Sequence, residues 1–397
     1  MTDAVQRAGG PSLTDLIERS AELKAELVAF AQSARFDRWL TPLLVEAAGP
    51  ARQLDEGAAI RITDHFILRY RLPDGSTVVD RFVAGRSDLA TADREMLLGW
   101  RDPVEGIFEI QRKDGDAVVL LDLISDLEYR TYANVGRAAF RKAFRGGFLH
   151  TCLVPVGAAD GAWLVSGAMS YYPRSSAADI AQAALELATT RPELVFRNPL
   201  KIEQGRQRMR EDRAAFVEFS GGDELVLPPA EAEDLLNAYY RHRQEAAVAA
   251  QPGRARLRRL PGPELPAFVF PQELADSDTI GVIYDQVDGL NFYAEYGMLR
   301  DLFADPARTG RRPHQDLLRR YLREESIAPL PIRRLAAAHP ETTDEVFRKL
   351  LRRPGFVWSE HGEALLRRRK PWYYESEPRP GVSVIGDRLS VLARGGR

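Results

Sequence analysis

Cysteine is almost absent from this chain: Cys152 is the only one in 397 residues. A single thiol excludes an intramolecular disulfide framework and any cysteine-rich zinc site. Long apolar runs are missing too, and none approaches the roughly 20 residues that a membrane helix needs. The opening MTDAVQRAGGPSLTD lacks the basic and apolar regions of a signal peptide. A soluble, cytoplasmic protein with no membrane partner is therefore expected. Net charge is small, −2 with a pI near 6.4, so nothing global argues for a polyanion partner.

The familiar chemical signatures are also lacking. Ser166, in Val165-Ser166-Gly167, has no Gly-x-Ser-x-Gly elbow around it. The glycine pairs at 146–147 and 221–222 are not followed by the Gly-Lys-Ser/Thr of a phosphate loop. His65, His242, His314, His339 and His361 show no metal-ligand spacing. No cofactor or metal is expected.

What is present is ordinary globular material, 45% hydrophobic and 28% charged, enough for two or three cores. The strongest folding signal runs from Glu105 to Tyr172. It reads as strands Gly106–Gln111, Ala117–Leu123, Leu127–Ala133, Phe148–Val156 and Trp163–Tyr171, divided by turn chemistry at Asp114-Gly115 and Gly157–Gly161. Ala117–Leu121 is continuously apolar, as in a strand covered on both faces. The fold class predicted is α+β: an antiparallel β-meander, or a small barrel of SH3-like or OB-like type, with flanking helices and then a mainly helical C-terminal domain.

Residues 1–11 read as disordered. Ser12 or Thr14 can cap a helix through Ala31, whose Leu16, Leu23, Leu27 and Phe30 form one stripe. A second helix is predicted from about Phe36 to Ala48, stopped by Pro50. Ala59–Leu72 and Thr77–Val83 read as a strand pair around Pro73-Asp74-Gly75-Ser76, and Thr91 as the cap of a helix ending near Trp100. Ala177–Thr189 reads as a helix. A second hairpin is predicted from Ala215–Phe219 and Glu224–Leu227, then a helix from Pro228-Pro229 to about Ala250. Residues 251–265 hold five prolines or glycines around four arginines. They are predicted to be a linker between an α+β domain at 12–250 and a basic helical domain at 266–397. Helices are expected there at Phe292–Phe303, His314–Arg323, Pro331–His339, Asp344–Arg353 and Ser359–Lys370.

Three groups could carry chemistry. Between Arg311 and Lys370 there are 15 Lys+Arg against 8 Asp+Glu, an excess of +7. Cations there would suit a phosphate backbone, with Trp358, Trp372, Tyr373 and Tyr374 able to stack on bases. The plainer reading is that arginines near helix C-termini complement the helix dipole. His150 and Cys152, two apart on a strand, would share a face as a nucleophile pair, or be simply buried. Asp285, Asp288 and Glu295 lie among Tyr284, Phe292, Tyr293 and Tyr296; burial there could raise a carboxyl towards general-acid work. The plainer reading is a strand at Val282–Tyr284, a turn at Asp288-Gly289 and a helix capped by Asn291.

Residues 80–170 are similar to a segment of uncharacterised bacterial proteins related to the SEC-C-containing group. The similarity lies in Asp80-Arg81-Phe82, Asp93-Arg94-Glu95, Trp100, Gly106-Ile107-Phe108-Glu109, Leu121-Asp122-Leu123 and Trp163–Gly167. The zinc-binding cysteines of that group are missing, so the resemblance implies a β-rich module and no metal site or activity. High arginine, alanine and leucine usage also resembles actinobacterial proteins. The function expected is a non-enzymatic binding or adaptor protein engaging a protein or nucleic acid through Arg319, Arg320, Arg352, Arg353, Arg367, Arg368, Arg369 and Trp372. The alternative is an enzyme of unrecognised class using Asp285, Asp288 and Glu295.

Overall fold

A computed structural model describes residues 12–49, 54–157, 161–249, 267–375 and 378–395. The chain forms two compact units, residues 1–201 with 384–397, and residues 202–383. The architecture is α+β, as predicted.

The first unit opens with helices α1 (Leu13–Ala31), α2 (Asp37–Ala48), α3 (Glu56–Leu68), α4 (Val78–Ala84) and α5 (Thr91–Gly99). Ser12 caps α1 in a reciprocal box with Asp15, and Leu23 and Leu27 on its stripe are fully buried. The expected strands at 59–72 and 77–83 are instead α3 and α4. Asp55 caps α3 by accepting the Ala58 N–H at 2.8 Å, and Thr77 forms a capping box with Asp80. Phe66, Ile67 and Leu68 are all buried. Three consecutive buried positions point in directions about 100° apart on a helix, so the last turn of α3 is enclosed on several sides, while Arg61 and His65 keep one exposed stripe. The turn at Pro73–Ser76 does form, with Gly75 at φ +81°, but it joins two helices.

The predicted central strands are β1 (Val104–Asp114), β2 (Ala117–Asp122), β3 (Glu128–Tyr132), β4 (Phe148–Pro155) and β5 (Ala162–Tyr172). They close into a barrel in the order β1-β2-β3-β5-β4, with β3 and β5 parallel and the other pairs antiparallel. Of the two small barrels anticipated, this order is the OB-like one. Val118 and Leu120 of β2 join the barrel core while Ala117 packs with the helices, which explains the unbroken apolar run. Helix α6 (Ala177–Thr190) and the last helix, Asp387–Ala393, pack together over a further core with Leu123 and Phe148.

A polar knot ties α1, α3 and β5. The Lys24 ammonium donates to Asp64 and, at 2.8 Å, to the Ser166 hydroxyl; that hydroxyl donates to the second Asp64 oxygen at 2.6 Å. Gly167 (φ +76°) lies against Asp64, where a Cβ would come within 2.9 Å of the carboxylate.

The second unit takes most of α7 (Pro199–Ser220), then β6 (Glu224–Leu227), α8 (Pro229–Ala249), the short α9 (Gln272–Ala275), β7 (Ile280–Asp285) and β8 (Gly289–Ala294). Helices α10 (Tyr296–Ala304), α11 (Arg312–Arg323), α12 (Leu330–Ala338), α13 (Pro340–Leu351), α14 (Trp358–Arg369) and α15 (Pro371–Tyr374) follow, close to the expected set. Residues 215–219, expected as a strand, continue α7. Strand β6 pairs instead with β7, in an antiparallel sheet ordered β6-β7-β8. That pairing joins residues on either side of the expected linker, 251–265, which lies outside the described residues. The helix expected to start near Asn291 starts at Tyr296; the Asn291 amide donates instead to the Asp288 and Gly289 carbonyls, closing the β7–β8 turn.

Asp64→Ala leaves the largely buried Lys24 ammonium without its counter-charge. The first unit should lose about 3–5 kcal/mol in urea unfolding. Lys24→Met combined with Asp64→Leu should lose much less; equal losses would contradict the pairing.

Candidate functional site

The β7–β8 turn builds one wall of a cleft of about 630 Å³ in the second unit. Gly289 (φ +76°) closes that turn, and one Asp285 oxygen accepts the N–H groups of Val287 (2.8 Å) and Asp288 (3.2 Å). The other Asp285 oxygen faces Arg334 of α12 at 3.4 Å. Arg334 also reaches Asp223 (3.2 Å) and Glu224 (3.5 Å), so α12 is tied to the ends of β6 and β7. Burial pushes the Asp223 carboxyl up, but its bonds from Arg334 and Arg213 outweigh that and hold it below its usual range.

The opposite wall comes from α12, α14 and α15. Lys370 ends α14 and Pro371 begins a new turn, since proline at the first helical position needs no N–H partner. That turn presents Trp372, Tyr373 and Tyr374. The Tyr373 hydroxyl donates to Asp288 at 2.9 Å. Arg333 donates to the Tyr374 hydroxyl (2.8 Å) and to Glu363 (2.9 Å), with its guanidinium 5.7 and 5.4 Å from the Tyr373 and Tyr374 ring centres. Arg367 lies 4.5 Å from the Tyr374 ring centre. Such cation–aromatic contacts fix ring and guanidinium planes together. Burial raises the Asp288 carboxyl above its usual value, and the Asp285 charge adds to this; the Tyr373 hydroxyl and Arg333 oppose it.

Asp285 and Asp288 are thus brought together, and Glu295 is not part of the cleft lining. Glu295 precedes α10 at φ +59° and accepts the Asp278 N–H at 3.1 Å, a structural task. Of the predicted basic residues, Arg367 lines the cleft, and Trp372 packs edge-on against Tyr373 at 5.7 Å. Arg319 is engaged by Asp316 and Gln315, and Arg320 stands 4.0 Å from Glu324 in the last turn of α11. Arg352 (φ +52°) caps α13 and Arg353 follows it; Arg368 and Arg369 lie exposed in the last turn of α14. Next to them Lys370 is buried and donates to the Glu324 carbonyl beyond α11; burial lowers its ammonium to about 8. These placements fit helix-end chemistry.

His150 and Cys152 line a small pocket beside the Lys24–Asp64 knot. Burial, then the Asp64 charge, pushes the Cys152 thiol up to about 12, so it stays protonated at neutral pH. Among the described residues no group of three His, Cys, Asp or Glu side chains is arranged to hold a metal ion, and no helix is long and apolar enough to cross a membrane.

Nothing local in the sequence marks Asp223 and Glu224, because their partner Arg334 lies over 100 residues away. No protein-family model matches this chain, and no curated protein or solved structure is similar to it.

A raised carboxyl means that the folded state binds more protons than the unfolded one. Stability from Asp288 is therefore fully present below the unfolded value of 3.8 and is lost as pH rises through the folded value. At neutral pH the ionised group costs stability. Asp288→Asn, which keeps an acceptor for Tyr373, should melt no lower than the parent at pH 7. Its advantage should vanish in acid. A clear loss of thermal stability at pH 7 would contradict this assignment.

Proposed function

We propose that this chain is a non-enzymatic binding or adaptor protein that takes a segment of a partner protein in the cleft of its second unit. The observation that carries this reading is the meeting of Tyr373 and Tyr374 with Arg333 and Arg367 in the cleft, with Trp372 exposed beside it against Tyr373. Tryptophan, tyrosine and arginine are the residues in which protein-interface energy concentrates. Carboxylates of Asp285, Asp288 and Glu375 in or beside the same cleft favour a peptide over a nucleic acid, since they would repel phosphates. The barrel's β2–β3 side, where OB-like barrels hold oligonucleotides, carries opposed charges: Arg130 bonds Asp114 at 2.8 Å and Arg112 stands 3.9 Å from Glu128. The SEC-C-like segment adds a β-rich module and no activity to this reading. One cysteine and no membrane-spanning helix among the described residues suit a cytoplasmic setting.

A second reading is favoured by one observation. Asp288, raised by burial and bonded to Tyr373 in an open cleft, has the surroundings of a general acid. It lacks the third carboxylate expected beside it, since Glu295 is engaged elsewhere.

The test is photo-crosslinking in cells with p-benzoylphenylalanine replacing Trp372, and a control at Arg312, whose side chain is 93% exposed. A discrete protein adduct from position 372 only, reduced about tenfold or more by Arg333→Ala or Tyr374→Ala, is expected. A nuclease-sensitive adduct, or equal adducts from both positions, would overturn the reading.

A further inference from the structure

A separate cavity in the first unit, about 1000 Å³, has an uneven charge. Among the described residues its lining holds three arginines (Arg145, Arg174 and Arg388) and one acid, Glu109, a net charge of +2. This contrasts with a whole-chain charge of −2. Arg388 is oriented by two bonds to Glu109, at 2.6 and 2.9 Å. Arg174 donates through Nε (3.0 Å) and Nη2 to the Arg145 carbonyl, which lays its guanidinium over Gly146. Gly146 has φ +77°, and a Cβ there would strike that guanidinium, so glycine at this position makes the room in which Arg174 lies. The rest of the wall is mixed: Ile110, Leu121, Phe148 and Leu392 are apolar, and Gln111 and Ser175 are polar.

Arg145 and Arg174 are exposed and have no acidic partner among the described residues, so both guanidiniums are free to meet an anion that enters beside the apolar part of the wall. Guanidinium forks match phosphate oxygens in pairs, and a phosphate monoester carries between one and a half and two negative charges near neutral pH. We infer that this cavity binds a small organic phosphate, its dianionic head against Arg145, Arg174 and Arg388 and its apolar body against Phe148 and Leu392. The site is independent of the cleft in the second unit.

Calorimetric titration of the full chain with phenyl phosphate at pH 7.5 tests it. The expected result is sub-millimolar binding, with inorganic phosphate and benzoate each at least about tenfold weaker, because one lacks the body and the other the second charge. Arg174→Gln should weaken phenyl phosphate about tenfold or more. Gly146→Ala, which displaces Arg174 without removing its charge, should do the same. Arg145 has an exposed side chain, so Arg145→Gln should keep the fold and carry the same loss if the other variants unfold. No heat up to about 10 mM phenyl phosphate, or equal binding by the parent and a folded Arg145→Gln, would overturn the inference.

Discussion

One guanidinium holds the geometry of the second unit. Arg334, on a helix, faces three carboxylates at the ends of two strands, Asp223 just before β6, Glu224 in it and Asp285 in β7, and all four side chains are only partly exposed. Three acids around one base would repel one another, so the cluster stands only because two more groups enter it. Arg213 takes a share of Asp223, and the Tyr296 hydroxyl donates to Glu224 at 2.9 Å. Charges drawn this far from water are favourable only when each is met by a partner. The cluster therefore fixes the end of β7, and with it the turn that carries Asp288 to the cleft.

From that anchor the cleft follows by short steps. Asp285, held by Arg334 on one oxygen, uses its other oxygen to set the backbone at Val287 and Asp288. Asp288 then meets Tyr373, on a turn that exists because Pro371 opens a new helix. Arg333, next to Arg334 in sequence, points its charge at Tyr374 and Glu363. Adjacent arginines on α12 thus divide the work: one builds the frame and the other lines the cleft. A cleft with both signs of charge and two half-buried tyrosines suits a peptide segment better than a repeating anion.

Much of the fold was legible in the chain and the reasons differ by region. The barrel strands are short, apolar and bounded by glycine turns, so local pattern suffices for them. Its closure through a parallel β3–β5 pair is a non-local choice with no local sign. Helix α3 was misread because its last turn, buried on several faces, gives the continuous apolar run Phe66–Leu68, and residues 215–219 because the glycines at 221–222 resemble a hairpin turn when the true partner of β6, β7, lies more than 50 residues on. In the site, Asp288, Arg367 and the tyrosines were visible as residue types, while their convergence was not. Glu295 looked equivalent to Asp285 and Asp288 in sequence, yet it sits across the start of a helix and serves the backbone.

The central claim, that the turn at 285–288 and the aromatic turn at 371–375 together receive a protein segment, can be tested by hydrogen–deuterium exchange of the full chain with and without the partner recovered from crosslinking. The account predicts slowed exchange at 285–289, 330–334 and 371–375, and little change along β2 and β3. Protection confined to the barrel strands, or none in the cleft, would contradict it.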